Sequence, residues 1–394
     1  MPVESKLATV TISARGALRL RNGHVWVYRS DILSADGIPP GALVKVSEPK
    51  GKPLGMALYS SASQIAIRLL SHRAVEDFPA LLRQRIREAL RYRDLVVSNT
   101  DAYRLIFSEA DFLPGLIVDR YNDIVSFQVL TQAMDSEPAR QALMSELGGR
   151  LNPAAIVERV DPRVRQLEQL PSRDSQLIQG DKTNTFFTMN GVRFHYAALE
   201  GQKTGSFLDQ RENYAAAAQY AHGDALDGFC YQGGFALHLA SRCSQVTGLD
   251  SSRPALEVAD QNAALNGRAI EWIEANAFDL LKDYSAAGRQ FDTIILDPPA
   301  FAKSRKNLET ALRGYKELNL RALKMLRPDG ILVTCSCSYH VSQAAFLQVI
   351  SEAALDARKT LRVIAVRGQA KDHPVLLSVP ETSYLKAIIC HVSN

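Results

Sequence analysis

Hydrophobic and polar residues alternate with a period of two along most of the first 72 residues, a pattern typical of half-buried β-strands. Turn sequences such as Asp36-Gly37 and Pro49-Lys50-Gly51 separate the apolar runs. The pattern predicts five short strands, with the sequences ALRLRNG, HVWVYRS, ALVKVSE, KPLGMALYS and QIAIRLL. Strands and turns at this spacing indicate a small β-barrel.

The pattern changes at Phe78 to the spacing of an amphipathic helix, with arginines crowding its polar positions. This arginine-rich face either contacts RNA or is simply solvated. A second β-rich stretch follows, with the strands YRLIFSEA, GLIVDRY and DIVSFQVL, a helix near 137–147, the strand AAIVERV and further strands around 186–196. The stretch predicts a separate α+β domain that ends near residue 190.

Strands and helices alternate from about Gly201 onward, which predicts a mostly parallel, Rossmann-like sheet with helices on both faces. The helix Pro254–Leu265 should begin after Ser252 and end at Gly267. The predicted parallel strands are ALDGF, QVTGLD, AIEWIEA, FDTIILD and GILVTCS, and LRVIAVRG and YLKAIICHV should form an antiparallel edge. This is the layout of class I methyltransferases. The predicted domains are therefore a small β-barrel (1–73), a central α+β domain (74–190) and a methyltransferase domain (191–394).

The composition of the chain narrows its class. With 394 residues, 46% hydrophobic and 22% charged, it has the make-up of a folded protein of two or three domains. It has neither a basic-then-apolar leader nor an apolar run long enough to span a membrane, so a cytoplasmic protein without a membrane segment is expected. The five scattered cysteines argue against a disulfide scaffold, and their spacing argues against zinc, so no metal is expected.

Positive charge is concentrated at the N-terminus. Residues 1–73 carry ten Lys and Arg against four Asp and Glu, whereas the whole chain has a net charge of only +4. A basic module in front of a near-neutral body is expected where an appended domain contacts nucleic-acid phosphates. The alternative is a solvated basic face.

A glycine-containing loop after the first parallel strand predicts a cofactor site. Glycines there allow backbone amides to approach a ligand beyond the carboxyl ends of the strands. Asp250 ends the next strand, 23 residues after Asp227, where a carboxylate can accept hydrogen bonds from ribose hydroxyls. These features alone would also suit a nicotinamide dinucleotide.

Three further features favour S-adenosylmethionine as the cofactor. The glycine pattern is not G-x-G-x-x-G, Asn276-Ala277-Phe278 follows the third strand, and Asp297-Pro298-Pro299 ends the fourth. An Asp-Pro-Pro sequence at that position is frequent in methyltransferases that act on nucleobases. The residues expected to contact the cofactor are Phe207, Arg211, Asp227, Phe229, Tyr231, Gly233, Gly234, Asp250, Ser251, Asn276, Ala277 and Asp297.

These motifs, with others, resemble the bacterial 23S rRNA (cytosine-5) methyltransferase I family over essentially the whole chain. LRNGHVWVY (20–28) resembles the opening of that family's RNA-binding PUA domain, and EADFLPGLIVDR (109–120) resembles its central domain. QKTGSFLDQR (202–211) resembles the motif near the methionine end of the cofactor, and DHPV (372–375) and YLK (384–386) match the C-terminal segment. The chain departs from the family at Gln232, where threonine is common, and at Cys335, which is an additional cysteine. The resemblance implies an enzyme that binds large-subunit rRNA; it leaves the oligomeric state open, a homodimer included.

Methylation of cytosine C5 requires a nucleophile that adds to C6, and the fifth strand supplies cysteines. A period of two puts Cys335 and Cys337 on one face if the strand persists. Cys337 lies nearer the carboxyl end, and the resemblance aligns the family's Ser-Cys-Ser with residues 336–338. Cys337 is therefore the predicted nucleophile, and Cys335 is expected to pack as a small apolar side chain.

Asp297 is the predicted contact to the pyrimidine edge, unless its carboxylate only caps the following turn. Phe301 is expected to stack on the extruded base, and Lys303 and Arg305 to contact flanking phosphates. His373 is a weaker candidate for a proton acceptor, since a structural role is the simpler explanation. Two other functions remain open: methylation of an exocyclic amine or of guanine N7, which needs no cysteine, and a ribosome-binding protein of the same fold without activity.

Overall fold

The computed structural model describes residues 7–200, 206–302 and 305–393. The strands in these ranges are β1 (Thr9–Ile12), β2 (Trp26–Tyr28), β3 (Ile32–Ser34), β4 (Leu43–Ser47), β5 (Pro53–Tyr59), β6 (Ile65–Ser71), β7 (Ala102–Phe107), β8 (Leu116–Tyr121), β9 (Ile124–Val129), β10 (Ala155–Glu158), β11 (Gln176–Gly180), β12 (Asn184–Met189), β13 (Val192–Ala197), β14 (Asp224–Asp227), β15 (Gln245–Asp250), β16 (Glu271–Glu274), β17 (Phe291–Leu296), β18 (Leu326–Ser336), β19 (Thr360–Arg367) and β20 (Lys386–Ser393). The helices are α1 (Ala14–Arg21), α2 (Phe78–Val96), α3 (Glu137–Leu151), α4 (Pro162–Leu167), α5 (Arg211–Tyr220), α6 (Gly234–Leu239), α7 (Arg253–Leu265), α8 (Ala277–Ala286), α9 (Leu308–Met325) and α10 (Gln343–Ala357).

The chain forms two compact units. The N-terminal unit comprises the described residues of 1–185, 196–205 and 372–382, and the C-terminal unit those of 186–195, 206–371 and 383–394. Within the N-terminal unit, a six-stranded sheet has the order β2-β6-β5-β4-β1-β3 and a five-stranded sheet has the order β11-β10-β9-β8-β7. The domain boundaries at residues 73 and 190 stay a prediction.

The strand predicted for ALRLRNG is wrong, because this segment is the helix α1. Ser13 caps the helix, and its Oγ accepts a hydrogen bond from the backbone N–H of Gly16 at 3.1 Å. Ala17 and Leu20 are spaced by three residues and are both buried, so the segment presents one apolar face as a helix. Alternation over so few residues is compatible with either structure, and the N-cap decided between them.

The C-terminal unit contains the predicted mostly parallel sheet. Its seven strands have the order β16-β15-β14-β17-β18-β20-β19, and β20 is antiparallel to both of its neighbours. The predicted antiparallel edge is therefore confirmed. Helix α7 begins after Ser252, whose side chain accepts from the N–H of Ala255, also as predicted.

Helices α9 and α10 cover one face of this sheet and bury an apolar cluster, which includes Leu296, Leu318, Leu323, Leu332 and Phe346. The apolar core keeps β14, β17 and β18 in register, so that their carboxyl ends lie at one edge. None of the helices in the described ranges has both the length and the apolar character needed to cross a membrane.

Candidate active site

The loop after β14 is hydrogen-bonded to the strands on both sides. The N–H of Gly228 donates to Ile295 O at 2.9 Å, and the N–H of Cys230 donates to Leu249 O at 2.9 Å. The turn is sharp: Tyr231 has φ +47° and Gly233 has φ +86°, a left-handed conformation that glycine adopts at little cost. Gly233 ends the turn, and Gly234 begins α6.

Asp250 connects this loop to the start of α7. Its Oδ2 accepts from the N–H of Tyr231 and its Oδ1 from the N–H of Ser252, both at 2.9 Å. Each carboxylate oxygen has a further lone pair, so the group can still accept hydrogen bonds from a ligand. Ser251 is exposed beside it.

Asp227 is fully buried and incompletely hydrogen-bonded. Its Oδ2 accepts from the N–H of Ala236 at 3.0 Å, while its Oδ1 has no partner among the described residues. Burial, although opposed by backbone N–H groups, raises the pKa of this carboxyl to about 7, and the charge of Asp250 contributes to the increase. A buried acceptor without a partner is costly, so Oδ1 of Asp227 is a candidate contact for a hydrogen-bond donor of a ligand.

Aromatic side chains line the loop. The Phe207 and Tyr231 rings meet edge to face with centroids 5.1 Å apart, and the Tyr214 hydroxyl donates to Phe207 O at 3.2 Å. Phe207 is exposed and Phe229 partly buried, whereas the predicted contact Arg211 is buried within the unit.

The Asn276 side chain caps α8. Its Oδ1 accepts from the N–H groups of Phe278 and Asp279, at 2.9 and 3.4 Å. The oxygen is therefore occupied within the protein, and the amide nitrogen is the group with which Asn276 can donate to an adenine edge. Ala277, which follows it, is buried.

Asp297 receives a hydrogen bond from a residue that the sequence analysis missed. The Gln210 side chain donates from Nε2 to Asp297 Oδ2 at 2.9 Å, and Asn213 Nδ2 donates to Gln210 Oε1 at 2.7 Å. Burial, and then the charges of Asp209 and Asp227, raise the pKa of Asp297 to about 8. Gln210 lies in the QKTGSFLDQR segment, but a neutral amide gave no chemical signal. Residues 202–205 of that segment are outside the described residues.

The two cysteines of the fifth strand differ in environment. Cys335 lies within β18 and is fully buried, and this burial raises the pKa of its thiol well above the ordinary value. Cys337 lies just past the end of the strand, is partly exposed, and has its Sγ 3.9 Å from Pro298 O. The structure thus brings Cys337 beside the Asp-Pro-Pro segment.

Tyr315 on α9 holds the residues that flank Cys337, a role that the sequence analysis also missed. Its hydroxyl lies 2.9 Å from Ser336 Oγ and 3.0 Å from Ser338 Oγ. Ser338 Oγ also accepts from the N–H of Ala302 at 3.2 Å, so the segment after the Asp-Pro-Pro sequence is fastened to the cysteine segment.

The remaining predicted substrate contacts are only partly described. The Phe301 ring is partly buried, 4.7 Å from the Tyr315 ring centroid. Lys303 is outside the described residues, and Arg305 begins a short 3₁₀ turn. His373 belongs to the N-terminal unit, where its buried ring contacts Phe107 edge to face at 5.3 Å.

Comparison with known proteins identifies the family. A PUA-like domain model matches residues 10–72, and an S-adenosylmethionine-dependent methyltransferase model matches residues 129–389. Ribosomal RNA large subunit methyltransferase I of Photobacterium profundum is 37% identical over 95% of this chain and 96% of its own length. The chain belongs to that family. The protein of the same name from Pseudoalteromonas atlantica is also 37% identical, over 97% of this chain and 99% of its own.

Solved structures confirm the fold class. A methyltransferase crystallised with SAH has a TM-score of 0.83 and 18% identity, covering 98% of this chain and all of its own. An S-adenosylmethionine-dependent methyltransferase from Streptococcus mutans has a TM-score of 0.82 over the same shares. The predicted class I methyltransferase fold with a PUA-like domain is therefore correct.

S-adenosylmethionine is the cofactor of this family, and the residues at the edge of the sheet fit it. The unpartnered Oδ1 of Asp227 suits the ammonium of the methionine moiety, and the Asp250 carboxylate suits the ribose hydroxyls. The described residues contain no group of His, Cys, Asp and Glu side chains arranged to hold a metal ion.

Proposed function

We propose that this chain methylates C5 of a cytosine in large-subunit ribosomal RNA, with Cys337 as a covalent nucleophile. The names of its relatives support the choice of RNA. The observation that carries the proposal of C5 chemistry is the partly exposed Cys337 at the carboxyl end of β18, beside Pro298. Methylation of an exocyclic amine would need no thiol at this position.

In the proposed reaction, the Cys337 thiolate adds to C6 of the cytosine and forms a C–S bond. The electron pair of the C5–C6 double bond becomes available at C5, which is otherwise too weak a nucleophile. When bound, S-adenosylmethionine would supply the methyl group that C5 takes; the bond between sulfur and methyl would break and S-adenosylhomocysteine would leave. A base removes the C5 proton, and the electron pair left behind restores the double bond and expels the thiolate.

Asp297 is suited to stabilise the charge that develops on the pyrimidine ring. Because burial raises its pKa to about 8, its carboxyl is largely protonated at neutral pH. A neutral carboxylic acid can donate a hydrogen bond to N3, where negative charge collects when the thiolate adds. The hydrogen bond from Gln210 fixes the other oxygen of the group.

RNA binding is assigned in this proposal to the basic N-terminal module. The surplus of positive charge lies in residues 1–73, and the PUA-like match covers residues 10–72. Lys50 and Lys52 are exposed, and such lysines can neutralise phosphates.

Trapping with 5-fluorocytosine tests the chemistry. An RNA that carries it at the target position cannot lose a proton from C5, so the covalent adduct should accumulate as a denaturant-resistant band. Wild type and Cys335→Ser should form this band, and Cys337→Ser should not, because a serine hydroxyl is too weakly acidic to add to C6.

The other outcomes separate the alternatives. An adduct that requires Cys335 instead would move the nucleophile two residues along the strand. Methyl transfer to unmodified RNA that persists in both serine variants would favour an exocyclic amine or guanine N7 as the target. No methyl transfer by wild type to either naked rRNA or ribosomal subunits would favour a non-catalytic protein.

A further inference from the structure

Lys386 is a buried lysine at the start of β20, opposite the end of β18. Its backbone partner in the antiparallel ladder is Ser336, so the two chains meet where the cysteine segment leaves the sheet. The Lys386 ammonium donates to Ser338 O at 2.7 Å and to Tyr384 O at 2.9 Å. A buried lysine is unusual, and here its charged end lies next to the residue that follows Cys337.

The Lys386 ammonium is expected to favour the ionised form of the Cys337 thiol. A cation within a few ångströms favours the thiolate over the thiol, and the effect is strong where water is excluded. Burial lowers the pKa of Lys386 to about 8, while its Coulomb interaction with Cys337 acts in the opposite direction. The lysine therefore remains mostly charged near pH 7.

Three titratable side chains among the described residues near Cys337 do not cancel this charge. Tyr315 faces Cys337 from α9 and Cys335 lies two residues before it, in β18. Burial raises the pKa of each, so both are neutral near pH 7. Asp297, next to the contacting Pro298, is largely protonated because its pKa is raised to about 8. Tyr339 and His340 follow in the chain and contact each other edge to face at 5.3 Å.

We infer that Lys386 is a positioning residue that activates Cys337: its ammonium stabilises the thiolate and its hydrogen bond to Ser338 O holds the segment that carries the sulfur. The thiol chemistry stands by itself, whereas its use in methyl transfer rests on the proposed function. Lys386 contacts the protein backbone through two of its three N–H bonds.

The pH dependence of Cys337 alkylation measures the ionisation of its thiol directly, without RNA. The full-length chain carries Cys243→Ala, which removes the other partly exposed thiol. Iodoacetamide labelling of the Cys337 peptide is followed by mass spectrometry from pH 6 to pH 9.5. In the wild-type background the labelling midpoint should lie below the pH of about 8.5 that is ordinary for a free thiol.

The variant Lys386→Gln keeps side-chain N–H donors but removes the charge. Its labelling midpoint should rise by about one pH unit, with labelling at pH 7 about tenfold slower, whereas Lys386→Arg should stay near wild type. The exposed Lys282 gives the matched control, since Lys282→Gln removes a charge from the surface of α8 and should change nothing.

Two results would overturn the inference. One is an unchanged midpoint in folded Lys386→Gln protein, which would make the lysine purely structural. The other needs no variant and so does not depend on folding: a wild-type midpoint at or above the ordinary value.

The test also separates this inference from the proposed function. If labelling depends on Lys386 but wild type forms no 5-fluorocytosine adduct, the thiol is activated for another reaction. If the adduct forms and labelling ignores Lys386, cytosine chemistry stands and the inference fails. If the adduct forms and labelling also depends on Lys386, Lys386→Gln should lower kcat about tenfold at pH 7 and leave KM for RNA unchanged. The kcat of this variant should recover at higher pH.

Discussion

The two units of this protein bury carboxylates in opposite ways. In the N-terminal unit, Glu158 is buried between Arg140, at 2.6 Å, and Arg173, at 3.4 Å. Asp135 contacts Arg140 at 2.5 Å and Arg165 at 3.1 Å. In this cluster, each buried negative charge has arginine partners, as expected where charge is buried for stability alone.

At the edge of the C-terminal sheet, the carboxyls of Asp227 and Asp297 have no arginine partner among the residues that the structure describes. Asp227 is held by a backbone N–H and Asp297 by the Gln210 amide. Burial alone would raise the pKa of Asp135, but hydrogen bonds from Arg140 and Arg165 outweigh it and hold that pKa below its usual value. The pKa values of Asp227 and Asp297 are instead raised to about 7 and about 8. We expect carboxyls without a cationic partner where a ligand completes the interactions, which makes Asp227 and Asp297 candidate ligand contacts.

The largest expected loss of stability comes from breaking the cluster of Glu158 and Asp135 with their arginine partners. Glu158→Ala removes one of the two carboxylates that Arg140 and Arg173 share, the other being Asp135. This should lower the free energy of unfolding by up to about 3–5 kcal/mol. Chemical denaturation monitored by circular dichroism measures the loss. Glu48→Ala, which breaks a pair with the more exposed Arg21, should cost only about 0.2–1 kcal/mol. Equal losses of stability in the two variants would contradict the expected difference between the buried cluster and the more exposed ion pair.

Asp227, whose carboxyl has no cationic partner among the described residues, should make the protein less stable as the pH rises. Between about pH 4 and pH 7 the folded chain holds a proton that the unfolded chain has released, so the free energy of unfolding decreases as pH rises through this window and is level above it. Asp227→Asn lacks this dependence. Its stability relative to wild type should therefore increase by roughly 2–4 kcal/mol from pH 4 to pH 8. The exposed Asp283→Asn is the control, and parallel curves for Asp227→Asn and wild type would refute the raised pKa.

The smallest effect concerns Asp250, whose partners are backbone N–H groups rather than cations. Asp250→Ala should weaken S-adenosylmethionine binding by about 1–3 kcal/mol through lost charge-assisted hydrogen bonds to the ribose. Isothermal titration calorimetry on the full chain measures this, with the exposed Asp260→Ala on α7 as control. Unchanged affinity in Asp250→Ala would exclude it from the cofactor site.

Sequence patterns succeeded where one local signal was sufficient. The run FDTIILD is apolar and β-branched and forms β17, and Ser252 is followed by a helix that it caps. They failed for ALRLRNG, whose alternation fits a short strand or a helical face equally well. The helix was decided by Ser13 and by the burial of Ala17 and Leu20.

What the sequence by itself determined is the order of strands and helices in the C-terminal sheet, the loop after β14, and the residue types at the carboxyl ends of the strands. These follow from spacing along the chain, because period and turn chemistry are local properties. Only the tertiary structure decided that Cys335 is enclosed while Cys337 is accessible, and that Gln210 and Lys386 meet the site. Lys386 lies 49 residues after Cys337 and joins it only through the pairing of β20 with β18. Burial and charge depend on such long-range packing, so they cannot be read from neighbours in the sequence.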